Sequence, residues 1–137
     1  MDGIDKVHYT SLYFVICLII YFTLVPFISS IFNLFNAHQI SYNLEPFVDW
    51  KYQYGNYIIE SLYNILLFVP FGFFFLIATK KKITLGILYG FLLSTCIEII
   101  QPLISELRVG DISDIITNTF GTIIGLLLAY LLTRQKK

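Results

Sequence analysis

Apolar residues fall in four long runs along the chain, at about residues 11–32, 57–79, 83–101 and 112–132. Each is close to or beyond the ~20 helical residues needed to cross a bilayer. The pattern predicts an all-α fold, an integral membrane bundle of four transmembrane helices. Pro26 predicts a kink in the first run. Polar residues interrupt the other three at helical spacing: Glu60 and Asn64, then Glu98 and Gln101, then Asp111, Asp114 and Asn118. Steps of three or four residues put each set on one helix face. An ionisable group at the bilayer centre costs about 2.5–3.5 kcal/mol on insertion scales. A chain that holds several together in such segments is expected to use them.

Composition agrees with the pattern. Hydrophobic residues make up 57% of the 137, aromatics 18% and charged residues 13%, with a mean hydropathy of +0.76. Soluble domains carry about a quarter charged residues. We expect one membrane domain over residues 1–137, without repeats, linkers or a soluble part. Net charge is zero, so no basic surface invites nucleic acid. The first run does not read as a signal peptide: its apolar core is long, residues 1–6 are more acidic than basic, and no small-residue cleavage site follows. Cys17 and Cys96 lie in apolar runs and are expected to be packing thiols.

The cations predict orientation. Lys6, Lys80, Lys81, Lys82, Arg134, Lys136 and Lys137 fall at the termini and in the second connection, whereas the first and third connections hold only Lys51 and Arg108. Seven against two puts both termini in the cytoplasm by the positive-inside rule. Glu45, Asp49, Glu60, Glu98, Glu106, Asp111 and Asp114 then all belong to the outer half. In this orientation three helices bring their polar residues to one depth, just inside the outer interface. Gly121 and Gly125 continue the stripe of the fourth helix, and Gly86 and Gly90 repeat that spacing in the third, so neighbouring helices can approach closely. The expected result is an outward-opening polar pocket above a tightly packed cytoplasmic half.

The residues also carry a family resemblance. Asn64 precedes Phe68, Pro70 and Gly72 in a Phe-x-Pro-x-Gly element. Glu98 and Gln101 form Glu-x-x-Gln. Arg108, Asp111, Asp114, Asn118 and Gly121 form Arg-x-x-Asp-x-x-Asp-x-x-x-Asn-x-x-Gly, and Asn43-Leu44-Glu45-Pro46-Phe47 is similar to an Asn-Leu-x-Pro-Phe element. In this order and spacing the chain resembles the VanZ-like family over about residues 43–125. The resemblance implies a multi-pass protein of the bacterial plasma membrane, associated with low-level resistance to the glycopeptide teicoplanin. It does not imply a reaction.

Each polar group has a structural role to set beside a functional one. Arg108 with Asp111 or Asp114 can be an interfacial ion pair, and acids in a first turn suit the positive end of the helix dipole. Asn64, Gln101 and Asn118 can hydrogen-bond between helices, each contributing about 0.6–2 kcal/mol. Pro70 and Gly72 are expected to break or thin the second helix for packing. Glu60 matches no motif element and reads as an interfacial acid. Tyr42, Phe47, Trp50, Tyr52, Tyr54 and Tyr57 crowd into 16 residues, as an aromatic belt at the headgroups or as a lid over the pocket.

The chemistry stays open at this level. Glu98, Asp111 and Asp114 are the candidate catalytic acids and bases, or Mg²⁺ ligands against a lipid phosphate. Arg108 suits a bidentate grip on phosphate or carboxylate, with Asn118, Gln101 and Asn64 as further ligand-binding residues. His8 and His38 lie away from the cluster, no Ser-His or Cys-His pairing is evident, and no nucleotide loop is present, so no cofactor is expected. Three functions fit. The first is a binding protein for an envelope ligand, such as a lipid-linked cell-wall precursor or the antibiotic itself. The second is a small intramembrane enzyme acting on a lipid at the outer leaflet. The third is a proton-coupled transporter, for which four helices are few unless the protein oligomerises. Membrane lipids are the expected partners in every case.

Overall fold

The computed structural model describes residues 3–24, 40–80, 82–105 and 108–134. Its helices are α1 (Gly3–Leu24), the short α2 (Val48–Tyr52), α3 (Tyr57–Ala78), α4 (Ile83–Ile104) and α5 (Ile112–Arg134). Four of these, α1, α3, α4 and α5, are long and apolar enough to cross a membrane. Each has 22 or 23 residues, about 33 Å at 1.5 Å per residue, which matches a ~30 Å hydrocarbon core. The expected kink at Pro26 and the expected end of the first helix near residue 32 lie outside the described residues, as does Glu106.

Two helices run further than the sequence suggests. α3 passes through Pro70 without a break, and α4 continues past Pro102 to Ile104. Pro70 therefore does not break its helix. A proline removes one intrahelical hydrogen bond, which a packed membrane helix tolerates when its neighbours hold it in place.

Backbone contact holds α3 against α5. A Cβ at Gly121 would collide with the Ile65 carbonyl, one at Gly125 with the Val69 carbonyl, and one at Gly72 with the Thr122 carbonyl. All three positions are buried. α4 joins through Gly86 and Gly90, whose missing Cβ atoms make room for the side chains of Leu126 and Thr122. α1 packs on the outside of this trio through Leu12, Val15 and Ile19, spaced three and four apart on one face.

Most other large apolar side chains point outward, as lipid-facing residues must in so small a bundle. Cys17 and Cys96 are among the exposed residues. They are not the core-packing thiols expected from their apolar surroundings, because apolar runs here face lipid as often as protein.

The helices alternate in direction. The Gln101 side chain on α4 donates from Nε2 to the Thr23 carbonyl on α1 at 3.3 Å. The ends of α1 and α4 thus meet the starts of α3 and α5, and the start of α1 and the end of α5 share the opposite end.

A small feature absent from the sequence reading closes the polar end. β1 (Tyr42–Asn43) pairs in parallel with β2 (Gly110–Asp111), with Tyr42 opposite Gly110 and Asn43 opposite Asp111. The following loop is fixed to the bundle. The Phe47 amide donates to Ser113 Oγ at 2.9 Å, which helps hold Phe47 at its positive φ of 58°, unusual for a bulky residue. Trp50 packs on Phe47 and Tyr57 and donates from Nε1 to Ser61 Oγ at 3.2 Å. Glu45 holds the exposed Lys51 by a 3.3 Å hydrogen bond and by its charge, which raises the lysine's pKa. As a surface pair it adds little stability.

Candidate functional site

The site begins at the start of α5. Asp111 Oδ1 accepts the Ser113 amide at 2.7 Å, the side-chain turn that commonly opens a helix. Asp111 Oδ2 accepts Asn43 Nδ2 at 2.8 Å, which ties the first connection to the third. The Asp111 amide in turn donates to Glu98 Oε2 at 3.1 Å. One residue therefore caps its helix, anchors the loop and fixes the Glu98 carboxyl. Gly110 makes this possible, because a Cβ there would lie 2.5 Å from the Glu98 carbonyl and 2.6 Å from the Tyr42 ring.

Below this cap lies a cavity of about 650 Å³, reached by residues of α1, α3, α4 and α5. Glu98, Arg108, Asp114 and Asn118 line it together with Asn64 and Gln101. Asn64 lies close to Asp114, and the charge of Arg108 acts on both Glu98 and Asp114. The Arg108 amide donates to the Ser105 carbonyl at 3.2 Å.

Asp111 adjoins Glu98 and Asp114 but does not line the cavity. Both its carboxyl oxygens are engaged by Asn43 and Ser113. Among the described residues no three His, Cys, Asp or Glu side chains are grouped to hold a metal ion.

The structure adds residues the sequence reading left out. Glu60 lines the cavity while remaining exposed in the first turn of α3, as an interfacial acid would be. Ser94 is fully buried and accepts Asn118 Nδ2 at 2.9 Å. It lies four residues before Glu98, on the stripe that already held Glu98 and Gln101, and that spacing was the available signal. Asn43 lay in a motif fragment but showed no sign of reaching Asp111, 68 residues away.

Two amides at the cavity wall are half satisfied. Gln101 and Asn118 are 5% and 3% exposed. Both point their N–H groups at the protein, while Gln101 Oε1 and Asn118 Oδ1 are buried without a hydrogen-bond partner. A buried acceptor left unmade costs about 1–3 kcal/mol, and such exceptions call for a functional explanation.

Comparison with known proteins agrees with this architecture. The VanZ/LLP1 family model matches residues 12–133. Protein VanZ of Enterococcus faecium is 39% identical over 103 residues, covering 72% of this chain and 58% of that protein. The chain thus spans less than two thirds of the length of that curated relative. No solved structure matches. With the family model matching nearly the whole chain, and the Glu98, Arg108, Asp114 and Asn118 motif gathered at one end of a four-helix membrane bundle, this chain belongs to the VanZ/LLP1 family.

Proposed function

We propose that this chain sits in the bacterial plasma membrane with both termini in the cytoplasm, and that its polar cavity binds an extracytoplasmic ligand of the cell envelope. Family membership supports a part in glycopeptide resistance of the teicoplanin type. The ligand is a lipid-linked cell-wall precursor or the antibiotic itself. The observation that carries the binding reading is the cavity that gathers Glu98, Arg108 and Asp114 at one end of the bundle, beside Gln101 and Asn118, whose buried side-chain oxygens have no partner in the protein. A site built only to join helices would satisfy its amides internally. The orientation follows from the cation asymmetry: Lys6, Lys80, Lys82 and Arg134 belong to the end opposite the cavity.

Orientation is tested first, since an inward cavity removes the extracytoplasmic ligand. With Cys17 and Cys96 replaced by alanine, a cysteine at the exposed Gln53 should react with an impermeant thiol reagent in intact cells. One at the exposed Lys82 should react only after the membrane is opened. The reverse pattern would turn the cavity toward the cytoplasm and end this reading.

A further inference from the structure

Residues of α1, α3, α4 and α5 ring the cavity, and three of the seams between these helices are closed at its level. Gln101 on α4 donates to the Thr23 carbonyl on α1. Asn118 on α5 donates to Ser94 Oγ on α4, and the Asp111 amide just before α5 donates to Glu98. α3 and α5 meet backbone to backbone at Ile65 and Gly121.

The seam between α1 and α3 differs. α1 packs through Leu12, Val15 and Ile19, and the same helical spacing continues to Phe22. Yet Phe22 lines the cavity and is 59% exposed, and Tyr63 and Leu66 on α3 line it at 68% and 63% exposed. Among the described residues the buried stripe of α1 ends at Ile19, and above it the cavity wall runs out onto the surface that meets lipid. The lining also changes with depth. Glu60, Tyr63 and Leu66 follow one another along α3 at steps of three residues, about 4.5 Å each. An exposed acid gives way to an aromatic ring and then to an aliphatic side chain, the order of headgroup, interface and hydrocarbon in a bilayer leaflet.

We propose that the cavity is entered from the bilayer through the seam between α1 and α3, and that its ligand is a lipid-anchored molecule whose tail stays on Tyr63 and Leu66. This rests on the binding reading above and names its ligand class. Lifting such a tail through water would expose every methylene; the sideways route keeps it in hydrocarbon while the head reaches Arg108, Asn64 and Asp114. A ligand that arrives from water without a tail needs no such seam.

The test uses the full chain with Cys17→Ala, Cys96→Ala, Phe22→Cys and Tyr63→Cys, and a photoreactive residue at Leu67 on the cavity wall. The chain is washed free of lipid in detergent, bridged between the two cysteines by reducible bis-thiosulfonate spacers of graded length, and returned to bilayer discs made from the host's total lipid extract. Mass spectrometry reads the bridge and what Leu67 captures. Without the bridge, a discrete molecule carrying a hydrocarbon chain should be captured. The bridge should abolish that capture, and reducing the bridge should restore it. A second bridge on another flank, between Phe91→Cys on α4 and Phe120→Cys on α5, both exposed, should leave capture unchanged. Capture that persists behind the α1–α3 bridge, capture of a molecule without a hydrocarbon chain, equal loss from both bridges, or failure of every spacer to join the two cysteines overturns the proposal and leaves the binding reading standing. If the chain with Phe22 and Tyr63 intact captures no discrete molecule at Leu67, the binding reading falls with it.

Discussion

On the proposed role in glycopeptide resistance, Glu98→Gln should lower the protection of an expressing host to the empty-vector level while leaving the protein folded and abundant in the membrane. Glu98 is 4% exposed and accepts the Asp111 amide through Oε2. Glutamine has the same shape and an oxygen that can accept the same bond. It also avoids placing a charge among apolar neighbours. If Glu98 serves only to join α4 to the start of α5, the substitution is mild. If it pairs with a cationic ligand, moves a proton or changes charge during a cycle, function is lost without loss of structure. The melting temperature should stay within about 4 °C of the parent, the shift expected from about 1 kcal/mol in a chain of this size. Asp114→Asn should behave in the same way, since an asparagine oxygen can still meet Asn64. Arg108→Lys should also fail where the guanidinium fork matters, because lysine supplies charge without it. Susceptibility is measured beside membrane abundance. Well-expressed variants that protect as well as the parent would return the cluster to a purely structural role.

The largest stability effect should come from Gly125→Val. The missing Cβ at Gly125 lies against the Val69 carbonyl and 2.8 Å from the Phe73 amide. Both are backbone atoms of α3, so no side chain can turn aside to make room. The helices must separate, and the loss should be about 3 kcal/mol, the upper part of the usual range for overpacking. Leu128→Ala on the same helix is the control, since Leu128 is exposed on the bundle surface and should change little. Unfolding by a denaturing detergent reads both. A Gly125→Val chain as resistant as the control would mean that α3 and α5 are not held by direct backbone approach.

The spans and the face each polar residue occupies were legible because helical periodicity is local. Glu98 with Gln101, and Asp114 with Asn118, lie where their spacing puts them. The glycine pairs were legible for the same reason, although their partners were not. Gly121 and Gly125 could be assigned to a close contact, but Ile65 and Val69 could not be named as the other side. What the sequence hid was non-local. The pairing of Tyr42 with Gly110 and of Asn43 with Asp111 involves two residues on each side, too few to leave a strand pattern. Asp111 therefore looked like a third acid in the pocket, when its two oxygens are taken by Asn43 and Ser113. Pro70 misled for a physical reason as well: a proline that breaks a helix in water can be accommodated in a packed membrane helix. The exposure of Cys17 and Cys96 was hidden because an apolar run does not say which of its faces meets protein and which meets lipid.

The central claim, that the cavity holds a particular envelope ligand, is tested most directly by photo-crosslinking in living cells. A photoreactive residue at Leu67, on the cavity wall, is compared with one at Leu127, exposed on the lipid-facing surface. Mass spectrometry then identifies what each position captures. A discrete adduct at Leu67, absent from Leu127 and lost with Glu98→Gln, is the predicted result. The same mixture of bulk lipids at both positions, unchanged by Glu98→Gln, would contradict it.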